Sequence, residues 1–79
     1  MSNEQNDRRV HARSKEGVEV VRYDRAGKWR CEQHGHFSPR ISIHAAVDVA
    51  RDIKRNGGEI FYGLPGGRTF DARMKGYGT

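Results

Sequence analysis

Between Ser42 and Gly58 the chain carries the one stretch whose apolar spacing fits a single kind of secondary structure. Ile43, Ala46, Val47, Ala50 and Ile53 recur at helical intervals and leave Asp48, Arg51, Asp52 and Arg55 on the opposite side. Ser42 is suited to cap the N-terminus, because its hydroxyl can accept from an otherwise free backbone N–H. Asp48–Arg51 and Asp52–Arg55 are i,i+3 pairs of opposite charge. Lys54 and Arg55 suit the negative end of the helix dipole, and Asn56-Gly57-Gly58 stops the helix with a glycine free to take positive φ. One amphipathic helix cannot bury its own stripe, so the rest of the chain has to supply a surface for it.

Strand signals lie on both sides of the helix. Val18 to Tyr23 is β-branched and aromatic, with Val20 and Val21 adjacent. Asp24-Arg25-Ala26-Gly27 reads as a turn. Lys28 to Gln33 follows as a second strand, with Trp29, Cys31 and Gln33 on one face and Lys28, Arg30 and Glu32 on the other. His34 to Pro39 is a loop broken by Gly and Pro. After the helix, Glu59 to Gly63 is a short strand with Ile60 and Tyr62 on one face and Phe61 on the other. Leu64-Pro65-Gly66-Gly67 reads as a type II turn, and Arg68 to Asp71 can return as a fourth strand.

The order is thus β-β-α-β-β, an α+β fold with a small antiparallel sheet and one helix packed on one face. The expected core is Val18, Val20, Trp29, Cys31, Ala46, Val47, Ala50, Ile53, Ile60 and Tyr62. The second sheet face is left open or covered by a second copy in a homodimer. With 79 residues the chain holds one domain, placed at 17–72. Residues 1–16 contain only Met1, Val10 and Ala12 as apolar residues and read as a disordered arm. Residues 73–79 read as a flexible basic tail.

A formal net charge of +5 favours polyanionic partners, although a small domain commonly carries this much charge for solubility alone. The single Cys31 excludes an internal disulfide, the first residues lack a signal-peptide pattern, and no apolar run approaches a membrane span. The expected location is the cytoplasm.

Several residues together resemble a known family. Trp29 follows a Gly-Lys turn, Ala45-Ala46 and Ala50-Arg51 lie on the helix, and Asn56-Gly57-Gly58-Glu59-Ile60 leads into a strand. Gly66-Gly67-Arg68, Asp71 and Tyr77-Gly78 close the chain. From about Val18 to Gly78 this resembles the domain-of-unknown-function family 2188, short bacterial and phage proteins. The chain departs from that pattern in its long His34–Arg40 loop and its Pro65 turn. The resemblance implies a small bacterial or phage protein, cytoplasmic in the host if phage-encoded, and transfers no functional residue.

No motif names a reaction. Cys31, His34, His36 and the more distant His44 are zinc-ligand types, but the paired knuckles of a structural zinc site are missing, and Cys31 on a core face is a small buried hydrophobe. His34 or His36 could act as a general base, yet no nucleophile, acid or oxyanion donor is placed by the sequence. The expectation is a non-enzyme without metal or cofactor. Lys28, Arg30, Phe61 and, with a change of strand phase, Tyr23 are placed on the open sheet face, with Arg22, Arg25 and Arg68 near its edges. Cations among aromatics suit phosphates and stacked bases, which makes a nucleic-acid-binding accessory protein the leading expectation. The alternative is a phage-type protein that binds and modulates a host protein or complex, with the aromatics as anchors.

Overall fold

The computed structural model describes residues 8–76. In chain order the elements are β1 (Arg8–Arg13), β2 (Glu19–Asp24), β3 (Trp29–Gln33), β4 (His36–Phe37), α1 (Ile43–Arg55), β5 (Glu59–Ile60) and α2 (Arg68–Met74). The strands form one five-stranded antiparallel sheet in the order β4-β3-β2-β1-β5. Helix α1 packs across one face of it and α2 packs beside α1. The α+β class and the helix-on-sheet architecture agree with the sequence, whereas the element order does not.

The clearest correction concerns residues 8–16, read from composition as part of a disordered arm; residues 1–7 lie outside the described residues. Strand β1 is interior to the sheet, with Ala12 paired to Val21 on one side and Ile60 on the other. His11 and Ala12 have no exposed surface. A β-bulge explains how so few apolar residues suffice. Val10 pairs with Arg22 and Ala12 with Val21, so His11 is an extra residue. The bulge brings two consecutive side chains to the helix side, where His11 lies edge-on to Trp29 with ring centroids 4.7 Å apart. Counting apolar residues misses this, because an aromatic histidine among other rings acts as core.

Two further segments differ. The predicted loop from His34 to Pro39 contains β4, which pairs with β3 through Gln33↔His36 and Glu32↔Phe37. His34 and Gly35 make the two-residue turn with φ of 50° and 84°, the doubly left-handed form whose twist suits a hairpin. The predicted fourth strand from Arg68 is instead the start of α2. The preceding turn is as read: Gly66 has φ 80° and the Gly67 N–H donates to the Leu64 carbonyl at 3.0 Å. The chain then coils, because one helical turn carries Phe70 to Trp29, where the rings stack with centroids 5.2 Å apart. Asp71 in the first turn suits the helix N-terminus and accepts from the Gly63 N–H at 2.9 Å. Arg73 and Met74, read as tail, belong to this helix, and residues 77–79 lie outside the described residues.

Helix α1 follows its sequence signals. The Ser42 hydroxyl accepts from the Ala45 N–H at 3.1 Å, Ala46, Val47, Ala50 and Ile53 are buried, and Gly57 turns out of the helix with φ 93°. The adjacent Gly58 is needed for a different reason: a Cβ there would lie 2.5 Å from the Arg13 carbonyl, so α1 could not return so close to β1. The observed core is Ala12, Val21, Trp29, Ala46, Val47, Ala50, Ile53 and Phe70, with Cys31 and Ile60 partly buried against it. Val18 and Tyr62, expected in the core, are exposed, and Val20 falls on the opposite sheet face. The pairings Val21↔Cys31 and Tyr23↔Trp29 set this phase.

Phe70 is fully buried and Asp48 is exposed on the outer side of α1. Phe70→Ala should therefore cost about 3–5 kcal/mol of unfolding free energy. Asp48→Ala should change it by less than about 0.5 kcal/mol. Denaturant unfolding of both variants is the measurement, and equal effects would contradict the packing of α2.

Candidate nucleic-acid interface

The structure divides the residues expected on one open face between two regions. Arg22, Arg30 and Phe61 do lie on the helix-free side of the sheet. There Arg13, Arg22 and Arg30 each have a carboxylate beside them. Arg30 donates through Nε to Asp24 at 2.8 Å and through Nη1 to the Ser38 carbonyl at 3.2 Å. Arg22 is only 8% exposed, with Nε 3.9 Å from Glu32 and its guanidinium 4.4 Å from the Phe37 ring centre. Phe61 carries the Arg13 guanidinium over its ring at 5.4 Å, and Arg13 in turn meets Glu59 at 3.4 Å. Charges matched in this way leave little field for a polyanion.

Tyr23 is not on this face. It lies on the helix side, tilted against Trp29 with ring centroids 4.8 Å apart, and Gly66 passes so close that a Cβ there would clash with Cε2 and Cδ2 of the Tyr23 ring. The phase change that would have exposed it does not occur, because Tyr23 pairs with Trp29 and that ring needs cover.

Tyr23 instead helps to line a cleft where three segments meet: the β2–β3 turn, the approach to α1 and the turn before α2. Its walls include Tyr23, Lys28, Trp29, Arg40, Ser42 and Thr69, and it encloses about 360 Å³. Two cations and no carboxylate line it. Ser42 and Ile43 bring the first turn of α1, which contains no acidic residue, to the same wall, so the positive end of the helix dipole adds to the two cations. Arg25 in the turn beside Gly27 and Arg68 beside Thr69 flank it in the chain. Lys28, Arg40 and Arg68 form no ion pair with a carboxylate among the described residues. Arg40 was missed by the sequence reading. Its signal is its place two residues ahead of the Ser42 cap, where a cation adds to the positive helix end rather than opposing it.

The cysteine–histidine segment forms a separate, shallow cavity lined by Cys31, Gln33, His34, His36, Phe37 and Ser38. No three His, Cys, Asp or Glu side chains converge there or elsewhere among the described residues in a way that could hold a metal. The Ser38 hydroxyl accepts from the Cys31 N–H at 2.9 Å and donates to the Pro39 carbonyl at 2.8 Å, so it shapes the strand edge rather than facing a base. No helix among the described residues is long and apolar enough to cross a membrane. Comparison with protein-family models, with curated proteins and with solved structures finds no match.

Asp24 carries an electrostatic signature with a clear cause. The hydrogen bond from Arg30 holds its carboxyl below the ordinary carboxylate range, assisted by the backbone N–H of Lys28 and the nearby charge of Arg30, and opposed by partial burial. A depressed folded-state pKa stabilises the fold above the unfolded pKa, and that contribution is lost as pH falls through the folded value. Unfolding free energy should therefore drop as pH is lowered below about 4, the ordinary carboxyl value. Asp24→Asn should cost about 1 kcal/mol at neutral pH and flatten this acid-side loss. Thermal melts of both proteins between neutral and acid pH test it, and an unchanged acid slope in the variant would overturn the assignment.

Proposed function

We propose that this protein is a small non-enzymatic nucleic-acid-binding protein that holds phosphate backbone in the basic cleft at the N-terminus of α1. One observation carries the reading: the cleft gathers Lys28, Arg40 and a helix N-terminus with no carboxylate in its lining, while Arg13, Arg22 and Arg30 on the other side of the sheet are each matched by an acid. Arg25 and Arg68 extend the basic rim, and the partly buried Tyr23 adds an aromatic edge to one wall. The +5 charge of the chain supplies long-range attraction. The expected family relation adds no site residue. Arg22, Arg30 and Phe61 are dropped from the interface, and Arg40 is added.

Phosphate contacts of this kind release counterions, so affinity should fall steeply with salt. Three to four contacts predict a log–log slope of about −3 on duplex DNA. Arg40→Ala and Lys28→Ala should each flatten that slope by about one unit without changing sequence preference. Lys54→Ala, at the far end of α1, should leave it unchanged. The measurement is a titration of labelled single- and double-stranded oligonucleotides at several salt concentrations. Absence of saturable binding below about 100 μM at low salt would sink the proposal, since even non-specific binders reach that range. Equal effects of Lys54→Ala and Arg40→Ala would refute the site.

A further inference from the structure

The basic cleft has a size and a charge that narrow what it can hold. At about 360 Å³ it lies at the lower end of the range for ligand pockets, roughly 300–1,000 Å³, so it suits one small group rather than a stretch of duplex. Three segments wall it, and a chain end can enter such a cleft, whereas a continuous strand must also pass out of it. Lys28 is partly buried and Arg40 exposed, and neither side chain forms a hydrogen bond or ion pair among the described residues. Asp24, at the other end of the Lys28 turn, is already held by Arg30 at 2.8 Å. Ser42 and Thr69 bring hydroxyls to the same lining. The Ser42 oxygen accepts from the Ala45 N–H, which leaves its proton free to donate.

We propose that the cleft is a site for a phosphate monoester, presented as the terminal phosphate of a single strand; the strand as its carrier rests on the nucleic-acid reading above. Charge and donor count are the argument. A phosphodiester inside a strand carries one negative charge and offers two free oxygens. A phosphate monoester carries about −1.5 to −2 at neutral pH and offers three acceptor oxygens. Two unpartnered cations with two hydroxyls in one small cleft exceed what the diester can use and match the monoester. Arg40 supplies the planar fork that suits paired phosphate oxygens, and Lys28 supplies a point charge. Ser42 and Thr69 donate to the oxygen positions that remain.

One single-stranded oligonucleotide, prepared with a 5′-phosphate, with a 3′-phosphate and with hydroxyls at both ends, is titrated against the full chain at low salt. A phosphorylated strand should bind about tenfold more tightly than the hydroxyl-ended one, and the two phosphorylated forms show which end the cleft takes. That preference should fall to about twofold or less in Arg40→Ala. It should persist in Lys54→Ala, which removes the same charge at the far end of α1. Circular dichroism establishes that each variant is folded. A second probe needs no nucleic acid. Trp29 is the single tryptophan of the chain and lines the cleft. Ribose 5-phosphate should change its fluorescence with a dissociation constant of about 1–10 mM, and ribose should not. Equal binding of phosphorylated and hydroxyl-ended strands would overturn the proposal and leave the nucleic-acid reading standing. Failure of every strand to bind, with the ribose 5-phosphate response intact, would refute the nucleic-acid reading and keep the monoester site. Loss of both responses would overturn both. A phosphoserine peptide that binds more tightly than the phosphorylated strand would overturn the assignment to a strand end.

Discussion

The extra residue in β1 sets the geometry of the hydrophobic core. A regular strand would turn His11 and Ala12 to opposite faces, leaving one of them in the charged layer. The bulge sends both toward the helices. Ala12 is small enough to let α1 approach, and His11 fills the space between Tyr23, Trp29 and Phe70, each within aromatic contact distance of its ring. Gly67 completes the fit, since a Cβ there would lie 2.6 Å from His11 Nε2. A small chain with few aliphatic residues thus builds its core around an aromatic group, and rings packed edge-to-face and stacked add to what area burial alone provides.

The same sheet separates charge. On its helix-free side, Arg13, Arg22 and Arg30 each have a carboxylate beside them, Glu59, Glu32 and Asp24. At the end where the β2–β3 turn meets the start of α1, Lys28 and Arg40 have no acidic neighbour in the cleft lining. A positive net charge is therefore less informative than its distribution: Arg22 and Arg30 contribute to the total but are tied to Glu32 and Asp24.

The elements legible from sequence are those fixed by local chemistry. The α1 stripe, the Ser42 cap, the Gly57 exit, the β2–β3 hairpin and the Pro65-Gly66 turn follow from residue types within a few positions of each other. What escaped reading depends on distant partners. Nothing near His11 announces a strand, because its cover comes from Trp29 and Phe70 far along the chain. The adjacent Val20 and Val21 leave the phase of β2 open until the pairing of Tyr23 with Trp29 decides it, and that decision moved Tyr23 out of the expected site and Val20 out of the expected core. Arg68-Thr69-Phe70-Asp71 is short enough to be strand or helix, and only the stacking of Phe70 on Trp29 selects the helix. Tyr23 and Lys28, read from the sequence as sharing the open sheet face, consequently line the helix-side cleft instead.

The position of β1 bears on the order in which the molecule can be assembled. Its hairpin partner β2 follows at once, but its other neighbour, β5, joins through contacts such as Arg13 to Glu59, 46 residues apart in the chain. Until that late segment arrives, one edge of β1 presents unpaired backbone N–H and C=O groups, a template for pairing with another chain. Closing so long a loop carries an entropic cost that the four-strand meander and α1 must offset beforehand. During synthesis β5 leaves the ribosome only after β1 to β4 and α1. The docking of two residues, Glu59 and Ile60, then separates an aggregation-prone intermediate from a sheet with both edges of β1 hydrogen-bonded.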